Sequence, residues 1–470
     1  MPCRAFRFAN TRAMMLHAGR VRSADCQGAS RRSLLQIGGL GALQFSLADL
    51  LRLRSQSEDS PAPAKSIILL WLWGGPSHLD SFDPKPNCPL EYRGPYAPIA
   101  TTVPGLSICE LFPHLAKRAE KYTVIRSLNH ESNDHGIAGT ISLTGSIQGA
   151  RSLGGLNLPG PVLPTHGSIV SKVDGFHPTV PRFVTIGKKL YQGPQYITGD
   201  EGGALGPIHD PFRVNYALGT GVHLPDLELT DGVTAQGLSD RRKLLTRFDQ
   251  LARFAETSPN AQRFDSFYDR AFSMLTSPGT RTVFDLEQEP AAIRQRYGKH
   301  HFGQCCLLAR RLVERDVRFV QVNWSSHVEG AEDGGDWGWD MHDRYFQIFQ
   351  DRHSWQLDQA LAALLDDLDE RGLLQETIVL AVGEFGRTPK INPKAGRDHW
   401  NQCYSGLVAG GGFRTGQVIG SSDAQGEYPL NSPYQPADLF STALHQIGVT
   451  TSRLTSVGLT PRGELMEELM

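Results

Sequence analysis

Ser66-Ile67-Ile68-Leu69-Leu70-Trp71-Leu72-Trp73 runs directly into Gly74-Gly75-Pro76-Ser77-His78-Leu79-Asp80-Ser81-Phe82-Asp83-Pro84-Lys85-Pro86. The apolar run shows none of the polar alternation of a half-exposed strand. It predicts a strand buried on both faces, as in a parallel sheet, and the Gly-Gly-Pro step turns it into a loop. Runs of the same character recur at 122–126, 183–186, 317–322, 377–382 and 405–409. Helical patterns lie between them. In the clearest, Leu357, Leu361, Leu364, Leu365 and Leu368 keep one stripe over three turns and stop at Gly372. Residues 303–315 form another helix just before a strand, and 436–447 closes the chain with a third. This alternation predicts an α/β fold, a mostly parallel sheet with helices on both faces. Residues 188–236, rich in Gly, Pro and His, read as a surface excursion over the sheet's edge. Two amphipathic helices at 239–255 and 261–275 complete a helical insertion spanning about 188–276.

The 470 residues are 40% hydrophobic and 20% charged, which excludes wholesale disorder and a bundle of membrane spans. Seven arginines (4, 7, 12, 20, 22, 31 and 32) against Asp25 and Asp49 make residues 1–50 +5, which leaves −7 for the rest of a chain totalling −2. A body of that sign lacks the basic footprint for a phosphate backbone, so no nucleic-acid partner is expected.

Ser30-Arg31-Arg32-Ser33-Leu34-Leu35 precedes a moderately apolar, Gly-rich stretch ending at Ala48. A basic region before such a segment has the layout of an export leader, and the Arg-Arg pair resembles the twin-arginine signal. Gly, Gln and Ser interrupt it too often for a membrane span. Residues 1–64 are therefore expected to be a leader and linker, with Ala62-Pro63-Ala64 in the small-x-small form of a cleavage site. The expected partner is the bacterial twin-arginine export machinery, and the expected location is periplasmic or extracellular. Residues 65–470 form the functional domain. Cys88, Cys109, Cys305, Cys306 and Cys403 lack paired spacings, which argues against a zinc knuckle and a disulfide framework. One disulfide stays open, and Cys305-Cys306 reads as core.

Ligands of open α/β sheets sit beyond the carboxyl ends of the strands. Histidines and acids collect there: His78 and Asp80; Asn129-His130-Glu131-Ser132-Asn133-Asp134-His135-Gly136; Trp337-Gly338-Trp339-Asp340-Met341-His342-Asp343; Gly383-Glu384-Phe385-Gly386-Arg387-Thr388-Pro389; and Gly396-Arg397-Asp398-His399-Trp400. Imidazole nitrogen and carboxylate oxygen are the usual ligands of zinc and its neighbours, so convergence of these groups points to a divalent metal site. Asp340-x-His342 can present both side chains on one face, and Asp398-His399 can reach one ion from a loop. His78 either caps a loop backbone or serves the site. His166, His209 and His445 read as structural. Arg387 and Arg397, with Arg126 beside them, either clamp an anionic substrate bidentately or steady the acidic loops. Gly410-Gly411-Gly412 lacks the Lys-Ser/Thr of a phosphate loop and reads as a turn. No G-x-G-x-x-G follows the first strand, which argues against a dinucleotide site.

The loop at 73–86, the block Glu384-Phe385-Gly386-Arg387-Thr388-Pro389 and the block Gly396-Arg397-Asp398-His399-Trp400 resemble the domain-of-unknown-function family 1501, from about residue 65 to the C-terminus. That family is similar in layout to the alkaline-phosphatase and sulfatase superfamily, whose members hydrolyse phosphate or sulfate esters at one or two metal ions. The resemblance implies an alkaline-phosphatase-like core and a divalent ion (zinc, calcium or manganese). It implies Asp340 and His342 as ligands with His399 completing the site, and Asp398 and Glu384 as further candidates. It departs at three places. His135 stands where the superfamily nucleophile precedes its helix, although Ser132 and Thr140 lie nearby. Phe385 replaces an imidazole after Glu384. Gly74-Gly75 stands where a metal-binding Asp is expected, and Asp80 could substitute only from farther down the loop. The implied enzyme is an exported, metal-dependent hydrolase of anionic phosphate or sulfate esters. It would use a metal-bound water, with His135 or His130 as general acid/base and Glu384 coordinating the ion or orienting the water. The alternative is a non-catalytic binding protein on the same fold.

Overall fold

The computed structural model describes residues 62–177, 180–223, 282–329 and 338–470. Nine strands of the main sheet are numbered in chain order: β1 Ser66–Trp71, β2 Tyr122–Leu128, β3 Phe183–Ile186, β4 Phe212–Ala217, β5 Gly221–His223, β6 Phe319–Asn323, β7 Thr377–Val382, β8 Tyr404–Gly410 and β9 Gln417–Ile419. Their spatial order is β9-β2-β8-β7-β1-β6-β3-β4-β5. Pairings around the centre are parallel, β1 with β6 and β7, β6 with β3, and β3 with β4. β8 runs antiparallel to both β7 and β2, so β2 points the same way as β1. The sheet is thus mostly parallel, as the buried apolar runs require.

β1 shows why those runs have no polar alternation. Ile68, Leu70 and Leu72 enter a core on one face, while Ile67, Leu69, Trp71 and Trp73 enter a second core on the other. The first core packs under two helices, α3 His301–Val313 and α4 Ser354–Glu370. The leucine stripe of α4 is wholly buried there, each side chain contributing about 1.5–3 kcal/mol. The second core packs under α2 His166–Asp174 and α5 Pro436–Gln446. Pro436 opens α5 and Gln435 with Asp438 forms a reciprocal cap, which explains the sharp start of that helix.

The described part of the expected surface excursion differs from expectation: Phe212–Ala217 pairs with β3 and extends the sheet. Its alternating Phe212-Arg213-Val214-Asn215-Tyr216-Ala217 carries the period of a strand, hidden among glycines and prolines. The helices expected at 239–255 and 261–275, and the leader to residue 61, lie outside the described residues. Gly410, Gly411 and Gly412 all have positive φ and make the expected turn. Cys88, Cys109, Cys305, Cys306 and Cys403 are free and buried, so the disulfide left open does not form among them. Among the described residues no helix is long and apolar enough to cross a membrane.

Candidate metal centre

β1, β2, β6 and β7 aim their carboxyl ends at one edge, and β8 starts from that edge because it runs the opposite way. The five loops bearing the sequence's acids and histidines are thereby gathered in one place. His135 is the first residue of α1, His135–Thr144, which Asp134 caps by accepting from the Ile137 N–H at 3.0 Å. Asp340 lies on the loop between β6 and α4, held by the Trp339 N–H on the Trp73 carbonyl at 2.8 Å. His399 lies on a two-residue strand paired with Gly386–Arg387, opposite Arg387.

His135, Asp340 and His399 offer ligand atoms that all lie within 4.8 Å of one another. Both rings are held from behind. His135 is fully buried and its Nδ1 is 2.6 Å from Glu384 Oε1. His399 Nδ1 is 2.8 Å from the Asn133 carbonyl. Each acceptor requires the proton on Nδ1, so each neutral ring presents an Nε2 lone pair to the centre. Those lone pairs face the Asp340 carboxylate, at 3.3 Å from His135 to Oδ2 and 3.1 Å from His399 to Oδ1. His135 Nε2 is buried without an aligned hydrogen-bond partner among the described residues. Two neutral rings aiming lone pairs at a carboxylate need a cation to join them, and in the metal-free protein the proton held on His135 fills that place. Holding the distal nitrogen of a ligating histidine is how protein metal sites fix their ligands. The residues present therefore fit a divalent ion.

The electrostatics agree. Burial works against ionising Asp340, but His135 and Arg387 outweigh it and hold the carboxyl well below its usual range. Burial alone would lower the His135 pKa, yet Asp340 and Glu384 together raise it to about 9. His399 is lowered to about 4, first by burial and further by His135 and Arg387, despite its Asp340 contact. It therefore stays neutral and fit to ligate. A pH prediction follows for the metal-free protein. Because the folded His135 pKa lies above the ordinary 6.5, its stabilising charge is fully present below pH 6.5 and is lost as pH rises through about 9. Thermal unfolding of metal-free protein should show Tm falling over that window, and His135→Gln should flatten the fall. An ion displaces the same proton, so metal affinity should rise with pH across the same window. An unchanged Tm from pH 6.5 to 9 in the metal-free wild type would count against this electrostatic picture.

The other residues expected at the site take different places. His342 is near the centre, with Nε2 2.9 Å from Asp340 Oδ1 and Nδ1 2.7 Å from Asp398 Oδ1, and its side chain is 43% exposed. Asp398 stands one step behind it and Glu384 one step behind His135. Glu384 also accepts from the Gly74 N–H, at 2.9 and 3.2 Å. His130 differs from its expected acid/base role. Its Nε2 donates to the Glu384 carbonyl at 2.6 Å and its Nδ1 accepts from the Ser132 N–H at 3.2 Å, so both nitrogens are engaged. Burial also pushes its pKa down. It positions Glu384.

Arg387 and Arg397, the expected substrate clamps, are both fully buried. Arg387 sits 2.8 Å from Asp340 Oδ1 and donates to the Gly74 and Gly75 carbonyls, so it steadies the ligand and the first loop. All five N–H groups of Arg397 are used, on both Asp80 oxygens and on the carbonyls of Thr388, Pro389 and Tyr92. Asp80 is thus a structural counter-ion rather than a substitute ligand. Thr140 is likewise occupied, with Oγ1 bonding to Gly136 and Thr198. His78 caps a loop, its Nε2 2.7 Å from the Gly426 carbonyl. Gly74 explains the missing aspartate of the first strand. Its φ is +107°, and a Cβ there would lie 2.5 Å from the backbone nitrogens of Trp339 and Asp340. Reading the chain alone misses the Asn133 carbonyl, because no residue type marks a backbone acceptor.

No curated protein matches the sequence. Among solved structures the chain is similar to Ps i-CgsB, at 12% identity and a TM-score of 0.39, over 85% of this chain and 77% of that one. It is also similar to PsFucS1 sulfatase from Pseudoalteromonas sp., at 14% identity and a TM-score of 0.35, over 89% of this chain and 76% of that one. For the phosphonate monoester hydrolase SpPMH from Silicibacter pomeroyi the values are 11% and 0.34, over 87% and 78%. The family described as "Protein of unknown function (DUF1501)" matches residues 64–464. That span holds β1, the His135 helix and the loops of Asp340, Glu384 and His399 together, and the chain belongs to the DUF1501 family.

Proposed function

We propose that residues 65–470 form a metal-dependent hydrolase of phosphate or sulfate esters, and that residues 1–64 export it by the twin-arginine route to the periplasm or beyond. The observation that carries the reading is the pair of imidazoles, each tethered through Nδ1, whose Nε2 atoms converge on the Asp340 carboxylate. Two nitrogens and one oxygen suit zinc or manganese better than calcium, which takes six to eight oxygens. A divalent ion supplies Lewis-acid polarisation of an ester oxygen and a lowered pKa for water. The chain's own residues do the rest. Arg387 keeps Asp340 ionised. Glu384 and Asn133 fix the tautomers of His135 and His399. His342, half exposed and tethered by Asp398, moves the proton at Nε2. It takes the role that the sequence assigned to His135, and His135 takes the ligand role assigned to His342.

A second reading, a binding protein without turnover, is favoured by one observation. His135 stands where a hydroxyl or thiol nucleophile would precede the helix, and Thr140 is fully engaged. Elemental analysis decides first. Full-length protein purified without added metal or chelator should carry a near-stoichiometric divalent ion, absent from Asp340→Ala and His399→Ala. Turnover of phosphate or sulfate esters with that ion should then collapse in His342→Ala while its metal stays. A folded protein that takes up no ion on titration would overturn the proposal, and a metal-loaded protein inert toward both ester classes would select the binding reading.

A further inference from the structure

The helix that becomes α4 begins earlier, with Tyr345–Ile348, and one turn of it is irregular. Phe349–His353 is a π-turn, closed by the Ser354 N–H on the Phe349 carbonyl five residues back. The apolar pattern requires the extra residue. Tyr345 and Leu357 are twelve residues apart, which on an unbroken helix of 3.6 residues per turn sets them about 120° apart. Both side chains nevertheless enter the first core. Winding in one more residue takes up about 100° of that difference. Such turns recur at functional sites. Here the turn ends on His353, whose fully buried ring lies against the loop of Asp340.

His353 Nε2 donates to the Gly338 carbonyl at 3.1 Å, two residues before Asp340. Its ring stacks on Trp324, with centroids 5.2 Å apart, and meets Trp339 edge-on at 4.8 Å. Backbone bonds fix the same stretch to its neighbours, from the Trp339 N–H to the Trp73 carbonyl at 2.8 Å and from the Asp340 N–H to the Val328 carbonyl at 3.2 Å. Gly338 itself lies so close to residues 327 and 328 that a Cβ would strike both their carbonyl oxygens. It is buried, so removing the imidazole leaves its carbonyl unpaired inside the protein. A metal ligand has to be held within about 0.5 Å of its working position, so whatever fixes 338–340 also fixes the Asp340 carboxylate. We infer that His353 is a positioning residue for Asp340, acting through the Gly338 carbonyl and the Trp339 ring. The consequence for an ion rests on the metal reading above, whereas the hold on the loop does not.

Hydrogen exchange on the metal-free, full-length protein tests it first, read at the Trp339 and Asp340 amides relative to the Ile67 amide of β1, which reports global opening. His353→Leu removes the donor, and His353→Gln keeps one near the place of Nε2. The exchange ratio should rise at least about tenfold in His353→Leu and stay within about threefold of wild type in His353→Gln. His353→Phe, which keeps the ring without the donor, serves if the leucine variant does not fold. Chelator competition then reads the ion, whose affinity should fall at least about tenfold in His353→Leu and return in His353→Gln. Leu361→Ala, two turns farther along α4, should lose stability in urea yet keep both the ratio and the affinity. An unchanged ratio in His353→Leu, no rescue by His353→Gln, or an equal rise in Leu361→Ala overturns the inference. So does a raised ratio with unchanged affinity, since the loop would then move without its ligand. If the wild type takes up no ion, the hydrolase proposal falls and the exchange ratios alone decide the role of His353.

Discussion

Asp80→Ala is expected to destabilise the protein by about 3–5 kcal/mol, the usual cost of stripping a buried cation of its only carboxylate. Arg397 and Asp80 are buried together, and the pair is bidentate at 2.6 and 3.1 Å. Water has little way in, because Gly94 packs so tightly that a Cβ there would lie 2.8 Å from Asp80 Oδ1. The remaining Arg397 donors hold carbonyls of the 388–389 turn and of Tyr92, so losing the carboxylate loosens two loops around the guanidinium. Urea unfolding of Asp80→Ala, Arg397→Ala and the double variant measures the effect. The double variant should lose much less than the sum of the singles, since the second substitution removes the orphan left by the first. It should not recover fully, because three carbonyls then lack their donor. Asp80→Ala, where folded in the cold, should keep its metal. A loss below about 1 kcal/mol, or a loss of metal without a loss of stability, would contradict the counter-ion role and revive Asp80 as a ligand.

What the sequence revealed, and what it withheld, follows from which interactions are local. The strand at 66–71 and the stripe of α4 were legible because burial on both faces or on one stripe is written in consecutive side chains. Placing the candidate chemistry after strands was also legible, since parallel strands must end at a common edge. Roles within the cluster were not. Which nitrogen each of His135, His342 and His399 presents to the centre depends on Glu384, Asp398 and Asn133 respectively, partners up to 266 residues away. Arginines in an acidic loop look alike as clamp or strut, and only their burial separates Arg387 and Arg397 from a substrate surface. β4 carried its alternating signal in plain sight, but the glycines and prolines around it masked the period. Gly74 read as a lost ligand, whereas its neighbours 265 and 266 residues away leave no volume for a side chain.

The second large effect is on metal affinity. Glu384→Gln should weaken binding of the ion by about 10–100-fold while leaving the fold intact, the range found when a carboxylate behind a ligating histidine is lost. Glu384 does two jobs with one group, accepting from His135 Nδ1 at 2.6 Å and from the Gly74 N–H at 2.9 Å. Glutamine can still accept both bonds through its carbonyl, so His135 keeps its tautomer and the loop after β1 keeps its anchor. What disappears is the negative charge that makes His135 Nε2 a stronger donor and helps offset the ion's charge in a buried setting. Glu384→Ala removes the acceptor too, leaving a ring N–H and a backbone N–H unpaired, each costing about 1–3 kcal/mol, so stability should fall with affinity. Competition against a chromophoric chelator measures the affinities, and urea unfolding of the metal-free variants measures the rest. If Glu384→Gln binds as tightly as wild type, the carboxylate acts only as a backbone anchor. If Glu384→Gln and Glu384→Ala lose affinity equally, the charge rather than the tautomer governs the site. An affinity loss in Gln that deepens in Ala assigns both functions to the one side chain, which is the expected result.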